Sequence, residues 1–448
     1  MKLPVSLAVI VLLLTCQSVF SSENAKSITF PQLWAFISEK SPALRASRFR
    51  QEAAEISKRR LARHWLPKLH VDSSAFNTDD PTANFINILG ERQVTTQDFN
   101  PTVLNAPGAH DFTQTTVGAD FSIYDGGQSV AALAAQNKIA VARRIETQAA
   151  RLKQYSEAAR LYGDILSLAD EKATLKGLDK KNIKTISTYR LGTKANPIGY
   201  SGILALKNTE NKIEAAKERV NLELSNDQKA LEILSGEPLP NSGWSSGANI
   251  LQFATAYVPL APNTSSFSFT AKAQLAKSEA AERKIKAEKA RYLPHVGLFA
   301  QDTVYTGDRG NASGYTAGGY LKWNFDAVDI GAAKQAKLEA AAARSMAESV
   351  ELNDRIQIDA AITSLRSAEK IIRLLQQNEK RLSDQWLVSK RLFRNGSIAA
   401  AQLAEVLSNA VDVAQAKSNA EKSYLVARLE LLNRSTFDPI PERISKLK

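Results

Sequence analysis

The sequence predicts a mostly helical protein with membrane-type β-strands, built as an internally duplicated chain. Three observations carry this expectation: a set of short motifs written twice in the same order, four stretches alternating apolar and polar residues, and two proline-free helical runs of about 60 residues.

The duplication comes first. Ala62-Arg-His-Trp-Leu-Pro-Lys-Leu69 recurs as Ala290-Arg-Tyr-Leu-Pro-His-Val296. Phe121-Ser-Ile-Tyr-Asp125-Gly-Gly recurs in part as Leu321-Lys-Trp-Asn-Phe-Asp326. Tyr189-Arg-Leu-Gly192-Thr returns as Phe393-Arg-Asn-Gly396-Ser, and Leu231-Glu-Ile-Leu234 as Leu429-Glu-Leu-Leu432. One match would mean little, but four in register imply two structural repeats, 28–240 and 270–435, joined by a linker or equatorial segment at 241–269 and followed by a tail at 436–448.

Each half reads helix, strand, loop, strand, long helix, turn, helix. The opening helices are expected at 31–65 and 270–292, with Pro31 in a first turn and Pro67 and Pro294 as stops. Strands are expected at 69–77, 113–124, 295–305 and 314–325. Val117, Ala119, Phe121 and Ile123 alternate with Asp120 and Ser122; Ala317, Gly319, Leu321, Trp323 and Phe325 show the same period, which sorts residues onto two faces. Such a strand suits a half-buried soluble sheet. Its length of about ten residues, with Tyr320 and Trp323, also suits a membrane strand with an interfacial aromatic girdle. The segments 78–112 and 306–313 read as solvated loops, and their unequal length moves the repeat offset from 227 at the prolines to 201 at the aspartates.

The long helices begin near Gln128 and after Asp326. Leu152, Tyr155, Ala159, Tyr162, Leu166, Ala169 and Ala173 alternate spacings of three and four, as do Ile358, Ala361, Leu365, Ala368, Ile372, Leu375 and Leu382. That is heptad packing with small residues at the seam. Each run is expected to turn at Gly192 or Gly396 and return through some 35 residues, ending near Leu234 and Leu432. In the first half, Asn196-Pro-Ile-Gly-Tyr-Ser-Gly202 reads as an insertion reshaping the turn.

Composition narrows the class. Of 448 residues, 44% are hydrophobic and 23% charged, which is globular rather than disordered. The net charge of +12 comes from bases interleaved with acids, as in Glu282-Arg283-Lys284 and Glu369-Lys370; this is a solvated helix surface, not a nucleic-acid footprint. Residues 1–21 read as a secretory signal, with Lys2 ahead of an apolar core at 5–14 and Val19 and Ser21 at the positions that precede cleavage. Thr15 ahead of Cys16 does not suit a lipidation signal. Beyond the signal no run of 18 apolar residues occurs, so a transmembrane helix is not expected, whereas a transmembrane β-barrel remains open.

Four strands per chain cannot close a membrane barrel, because open edges in lipid leave backbone groups unsatisfied at several kcal/mol each. Three chains would supply twelve strands, the even number bacterial barrels use. With the strands at one pole and the long helices at the other, such an object is a conduit.

The chain resembles the TolC-like outer-membrane channel family over about residues 28–435. The resemblance rests on Trp65-Leu-Pro67 and Tyr292-Leu-Pro294, on Tyr124-Asp125-Gly126-Gly127, and on the turns at 189–192 and 393–396. It implies a homotrimer with a twelve-stranded β-barrel in the outer membrane of a Gram-negative bacterium, continued by a twelve-helix α-barrel in the periplasm. It also implies efflux or type I secretion, through docking to a periplasmic adaptor and an inner-membrane transporter or secretion ATPase. Pro67, Asp125, Gly126, Gly127, Pro294 and Asp326 fall at the strand–helix junctions. The adaptor-docking hairpin tips would be Arg190, Leu191, Gly192, Thr193 and Arg394, Asn395, Gly396, Ser397; each glycine equally reads as a plain helix C-cap. At the periplasmic entrance, Ile398 stands where the family's best-known members have an arginine, with Gln402 and Glu405 at the two carboxylate positions. A ring of three Glu405 side chains would select cations; the alternative is a solvated glutamate.

No catalytic residue, cofactor or metal is expected: His64, His70, His110 and His295 have no zinc spacing, and no P-loop, nucleophile elbow or HExxH motif occurs. The competing classes are a periplasmic coiled-coil scaffold or adaptor without a pore, and an exported hydrolase.

Overall fold

The computed structural model describes residues 28–189, 196–236, 249–260, 268–324 and 326–436. The signal at 1–21 with Cys16, the tip residues Arg190, Leu191, Gly192 and Thr193, Phe325 and most of the C-terminal tail lie outside the described residues.

In chain order the elements are α1 (Phe30–Lys40), α2 (Pro42–Leu61), β1 (Lys68–Thr78), α3 (Pro81–Gly90), α4 (Pro101–Asn105), β2 (His110–Asp125), α5 (Gln128–Thr188), α6 (Pro197–Ser235), α7 (Ile250–Tyr257), α8 (Phe269–Ala290), β3 (His295–Gly307), β4 (Gly310–Lys322), α9 (Ala332–Arg394) and α10 (Ala400–Asn433). At 61 and 63 residues, α5 and α9 are each roughly 90 Å long at 1.5 Å per residue.

Four sequence expectations are corrected. The opening helix is not continuous over 31–65. Pro42 lacks the N–H a helix interior requires, and Ser41 before it is extended at φ −55°, ψ 120°, so the helix divides into α1 and α2. The segment 78–112 is no simple solvated loop: it holds α3, a 3-10 turn at Thr96–Phe99, and α4. Asp80 caps α3 by accepting from the Ala83 N–H, and Asn100 caps α4 by accepting from Thr102, each followed by proline in the first turn. The stretch 306–313 shortens to a two-residue turn, Asp308-Arg309, between paired Gly307 and Gly310. The supposed insertion at 196–202 is mostly helix, with Asn196 capping α6 through Gly199 and Pro197 opening it.

The described residues form two compact units. One comprises those within Met1–Arg45, Ala150–Ser266 and Arg355–Lys448. Here Phe30 meets Tyr155, Phe253 and Tyr257 edge-on at 5.2–5.3 Å, and Trp34 meets Tyr155 at 5.1 Å, geometries that aromatic quadrupoles favour. The segment expected as a linker supplies Phe253 from α7, whose Ile250 and Ala254 are also buried. Farther along, Leu168, Leu175 and Leu178 of α5 pack with Ile213 and Val220 of α6, Leu382 and Trp386 of α9, and Leu403, Leu407 and Val411 of α10. The expected seam holds through Leu166. It then moves to Leu168, Glu171, Leu175 and Leu178, leaving Ala173 exposed. In α9, Ala361, Leu365, Ala368, Ile372 and Leu382 are buried as expected.

The other unit comprises Ala46–Ala149 and Phe267–Asp354. It contains one antiparallel sheet in the order β1-β2-β3-β4. Beside it, alanines form the close-packed surfaces of α5, α8 and α9: Ala131, Ala135, Ala276, Ala280, Ala336 and Ala340 are all buried. Ion pairs Lys138–Glu279 and Lys277–Glu146 at 2.5 Å and Lys284–Glu339 at 3.3 Å join these helices. Among the described residues no helix is long and apolar enough to cross a membrane.

Candidate functional site

The register sorts the sheet into two chemically distinct faces. Leu69 pairs with Ala119 and Val71 with Val117; Phe121 pairs with Leu298 and Ala119 with Ala300; Val296 pairs with Leu321 and Ala300 with Ala317. These side chains share one face, since paired residues in a ladder point the same way. Leu69, Val71, Val117, Leu298 and Leu321 are exposed there, at 49–80%. The opposite face carries His70, Asp72, Ser74, Gln114, Thr116, Asp120, Gln301, Thr303 and Thr316 together with the rings of Phe76, Phe112, Phe299, Tyr305 and Tyr320, and Asp302 is a charged residue on the first face. His70 and Asp120 approach to 3.3 Å on it, and Thr116 and Thr303 share a hydroxyl contact at 2.9 Å. β1 and β4 each have one neighbour, so the sheet does not close on itself. A register shift between Ser122 and Tyr124 takes Ile123 out of the regular alternation, and Trp323 lies just past β4.

At the first strand–helix junction, Asp125 accepts from the Gly127 N–H at 3.1 Å and the Ser129 N–H at 2.9 Å, which caps α5. Gly126 at φ +69° and Gly127 at φ +81° make the reversal. A β-carbon on Gly126 would lie 2.6 Å from the Ala290 carbonyl and 2.9 Å from Leu293, so the first junction sits directly on the helix-end motif of the second half. The second junction differs. Asp326 accepts from the Val328 N–H at 3.0 Å and caps a 3-10 turn, Ala327–Asp329, while Gly331 at φ +97° leads into α9. Arg291 pairs with Asp329 at 2.9 Å, and the Tyr292 hydroxyl donates to the Asp329 carbonyl. Pro67 is exposed and Pro294 half-buried, each just ahead of its strand.

The described hairpin tip closes with a Schellman motif. The Ser397 N–H donates to Leu392 O at 2.8 Å and the Gly396 N–H to Phe393 O at 3.1 Å, with Gly396 at φ +74°. Arg394, Asn395, Gly396 and Ser397 are exposed and Ile398 is half-buried. Gln402 and Glu405 are exposed on α10, opposite buried Leu403, Ala404, Val406 and Leu407. Beneath the tip, Tyr189 and Phe393 pack on Leu206, Ala400 and Ala404. A β-carbon on Gly202 would come within 2.8 Å of Ala400 and 2.9 Å of the Tyr189 hydroxyl, so that glycine permits the close approach of α6 and α10.

A buried polar network that the sequence reading did not anticipate runs between α5, α6, α9 and α10. Ser167 meets the Ser418 hydroxyl at 3.0 Å and donates to Glu421 at 3.3 Å; Lys417 pairs with Asp170 at 3.3 Å and Glu379 at 3.2 Å. Burial pushes the Glu421 carboxyl up to about 7, against the pull of Lys417. Nearby, Arg160 pairs with Glu157 and Asp164 at 2.8 Å, Arg219 with Glu171 and Glu223, and Lys422 with Glu223 at 2.8 Å. Burial raises Asp164 to about 6 despite Arg160. Glycines and charges at helical spacing carry no mark of which helix they will meet, so only the close approach of α5 and α10 identifies them. The capped helix starts were readable, however: Asp80-Pro81, Asn100-Pro101 and Asn196-Pro197 share one N-cap signature.

The four histidines do not converge. His64 contacts Leu61 O, His70 faces Asp120 and His110 faces Asp308, and no group able to hold a metal ion occurs among the described residues.

No family model and no curated protein matches the sequence. Solved structures do match the fold. The CmeC outer membrane channel of Campylobacter jejuni superposes with a TM-score of 0.73 at 14% identity, covering 94% of this chain and 92% of that one. The outer membrane protein VceC of Vibrio cholerae matches at 0.69 and 16%, covering 90% and 94%. The open-state MtrE outer membrane channel of Neisseria gonorrhoeae matches at 0.68 and 13%, covering 93% of each. The chain therefore has the fold of TolC-like outer-membrane channels, a helical protein carrying a small antiparallel sheet.

Proposed function

We propose that the protein is a channel subunit of the bacterial outer membrane that extends into the periplasm. It assembles as a homotrimer whose three sheets close a twelve-stranded barrel, continued by twelve helical segments. In this reading it docks through its hairpin tips to a periplasmic adaptor, and through that to an inner-membrane transporter or secretion ATPase. It serves as an exit duct and not as an enzyme.

One observation carries the reading: towards the helix junctions Leu69, Val71, Val117, Phe121, Leu298 and Leu321 share one face of the sheet and lie exposed on it, in a sheet with two unpaired edges. An exposed apolar face of this extent is unfavourable in water and favourable in lipid. Each unpaired edge requires a partner strand there, and β1 of one copy beside β4 of the next provides it. A soluble periplasmic scaffold would leave Leu69, Val71, Val117, Leu298 and Leu321 in water, which disfavours that alternative. At the periplasmic end we assign Glu405 to the entrance, with Gln402 and Ile398 beside it, and Arg394–Ser397, together with residues 190–193, to the docking surface.

Fractionation of expressing cells tests the proposal. The full chain is expected in the outer membrane as a detergent-resistant trimer, and a cysteine pair placed on facing edges of β1 and β4 is expected to cross-link copies. Recovery as a water-soluble monomer would refute it.

A further inference from the structure

We propose that residues 79–109, between β1 and β2, form a folded internal constriction of the channel mouth, latched by Arg309 and Asp98, that limits the size of solute able to pass there. The inference rests on the channel reading above.

The position of the segment follows from the register. Tyr305 and Gly307 lie at odd positions of β3, on the same face as Gln301 and Thr303, the polar face. A β-carbon on Gly90, at the end of α3, would fall 2.7 Å from the Tyr305 ring. The adjacent Glu91 carboxylate lies against Gly307 at the point where a side chain would project to the polar face. α3 thus covers the loop end of the face that carries Asp72, Thr116 and Thr303, at the rings of Tyr305 and Phe112, and leaves the face of Val71, Val117 and Leu298 bare. In a barrel whose apolar face meets lipid, the polar face lines the lumen, so the segment lies inside it.

The segment is held there by contacts to the β3–β4 hairpin. Arg309 Nη1 meets Asp98 Oδ1 at 2.7 Å, and Asp98 is 6% exposed. Arg92 Nη2 donates to the Ser313 carbonyl of β4 at 2.9 Å. Arg92 has φ +60°, a left-handed conformation that β-carbon sterics disfavour, so the chain accepts local strain where this side chain reaches the strand. His110 and Asp308 approach to 3.1 Å across the same end of the sheet. Asn84, Asn87 and Ile88 are buried within the segment. Three copies of such a body about one axis would narrow a twelve-stranded lumen well below its backbone diameter, as folded inward loops and plugs do in other barrels.

Cysteine labelling in intact cells tests this, and Cys16 is the sequence's single cysteine. Asp72→Cys places a thiol on the polar face and Val71→Cys one on the apolar face. Each is made in the native background, with Arg309→Asp, with the exchanged pair Asp98→Arg/Arg309→Asp, and with residues 81–106 replaced by a short Gly/Ser linker. Two membrane-impermeant maleimides are compared, one small and one carrying a polyethylene glycol chain too large for general porins.

The expected result is that the large reagent fails to label Asp72→Cys in the native background, labels it in the Arg309→Asp and linker chains, and is excluded again by the exchanged pair. Recovery of each variant in the outer-membrane fraction as a detergent-resistant trimer shows that it is assembled, and labelling by the small reagent shows that its thiol is reactive. Equal labelling by the large reagent in native and linker chains would overturn the constriction and leave the channel reading intact, as would its exclusion from all of them. Val71→Cys labelled as fast as Asp72→Cys would overturn the channel reading itself.

Discussion

Tyr189 and Phe393, which hold matching places in the two halves of the sequence, pack against each other with ring centroids 5.6 Å apart at an interplanar angle of 38°. The first residues of the two motif copies thus meet in the fold, packed on the small cluster of Leu206, Ala400 and Ala404.

The first prediction concerns this pair. Phe393→Ala removes a half-buried ring and is expected to cost about 2 kcal/mol, below the 3–5 kcal/mol of a fully buried aromatic. Phe393→Tyr should cost little. Hydrogen exchange of the Leu403 to Leu407 amides in the detergent-solubilised protein checks this: protection falls in the alanine variant only. Gly202→Ala should loosen the same region, because its new methyl meets Ala400 and the Tyr189 hydroxyl.

The strand–helix junction gives a second prediction. Asp125→Ala removes the cap on α5 and is expected to destabilise by about 1 kcal/mol. Gly126→Ala adds left-handed strain of roughly 1–2 kcal/mol, and a contact at 2.6 Å with the Ala290 carbonyl comes on top of it. Gly126→Ala is therefore expected to be the more damaging. Denaturant midpoints of the two variants, measured side by side, should fall in that order.

Glu421 gives a pH dependence. Its folded carboxyl titrates near 7 and its ordinary value is 4.5, so the folded state holds the proton more tightly. Stability from this group is complete below pH 4.5 and is lost as pH rises through 7. Glu421→Gln keeps an acceptor for Ser167 and removes the buried charge. It is expected to stabilise the fold at pH 8 by up to roughly 3 kcal/mol, at about 1.4 kcal/mol per pH unit, and so to raise the melting temperature there, and to change little at pH 4.5. Thermal denaturation at both pH values decides it; an equal effect at the two would exclude the buried charge as the cause.

At the proposed entrance, Glu405→Gln is expected to reduce cation over anion selectivity in single-channel recordings, since three carboxylates are removed from one ring. Gln402→Ala, which changes no charge, should leave selectivity as it was. Unaltered selectivity in Glu405→Gln would return that residue to the solvated helix surface.

Several elements were legible because their signals are local. The strands at 69–77 and 113–124 sit inside β1 and β2, and the long helices begin and end within a few residues of expectation. Gly396 caps its helix where the duplicated motif placed a turn. Other elements were misread although their signals were equally local. Pro42 was passed over as an interruption, the Asp-Pro and Asn-Pro starts at 80 and 100 were read as loop composition, and the Asn-Pro at 196 as part of an insertion, instead of as N-caps. The entrance residues Gln402 and Glu405 were placed by family resemblance, and both are exposed on α10.

By itself the sequence determined the duplicated motifs, the places of the strands and long helices, and the seam of α5 as far as Leu166, because each is a pattern read along the chain that follows from backbone geometry. Tertiary structure alone decided that Gly126 must accommodate Ala290, that Gly202 must accommodate Ala400, that Glu421 is buried beside Lys417, and that α3 covers the polar face of the sheet. Those facts concern segments brought together from far apart in the chain, Glu421 being buried against Ser167 of α5. Steric exclusion and desolvation depend on which surfaces meet, and no local pattern records that meeting.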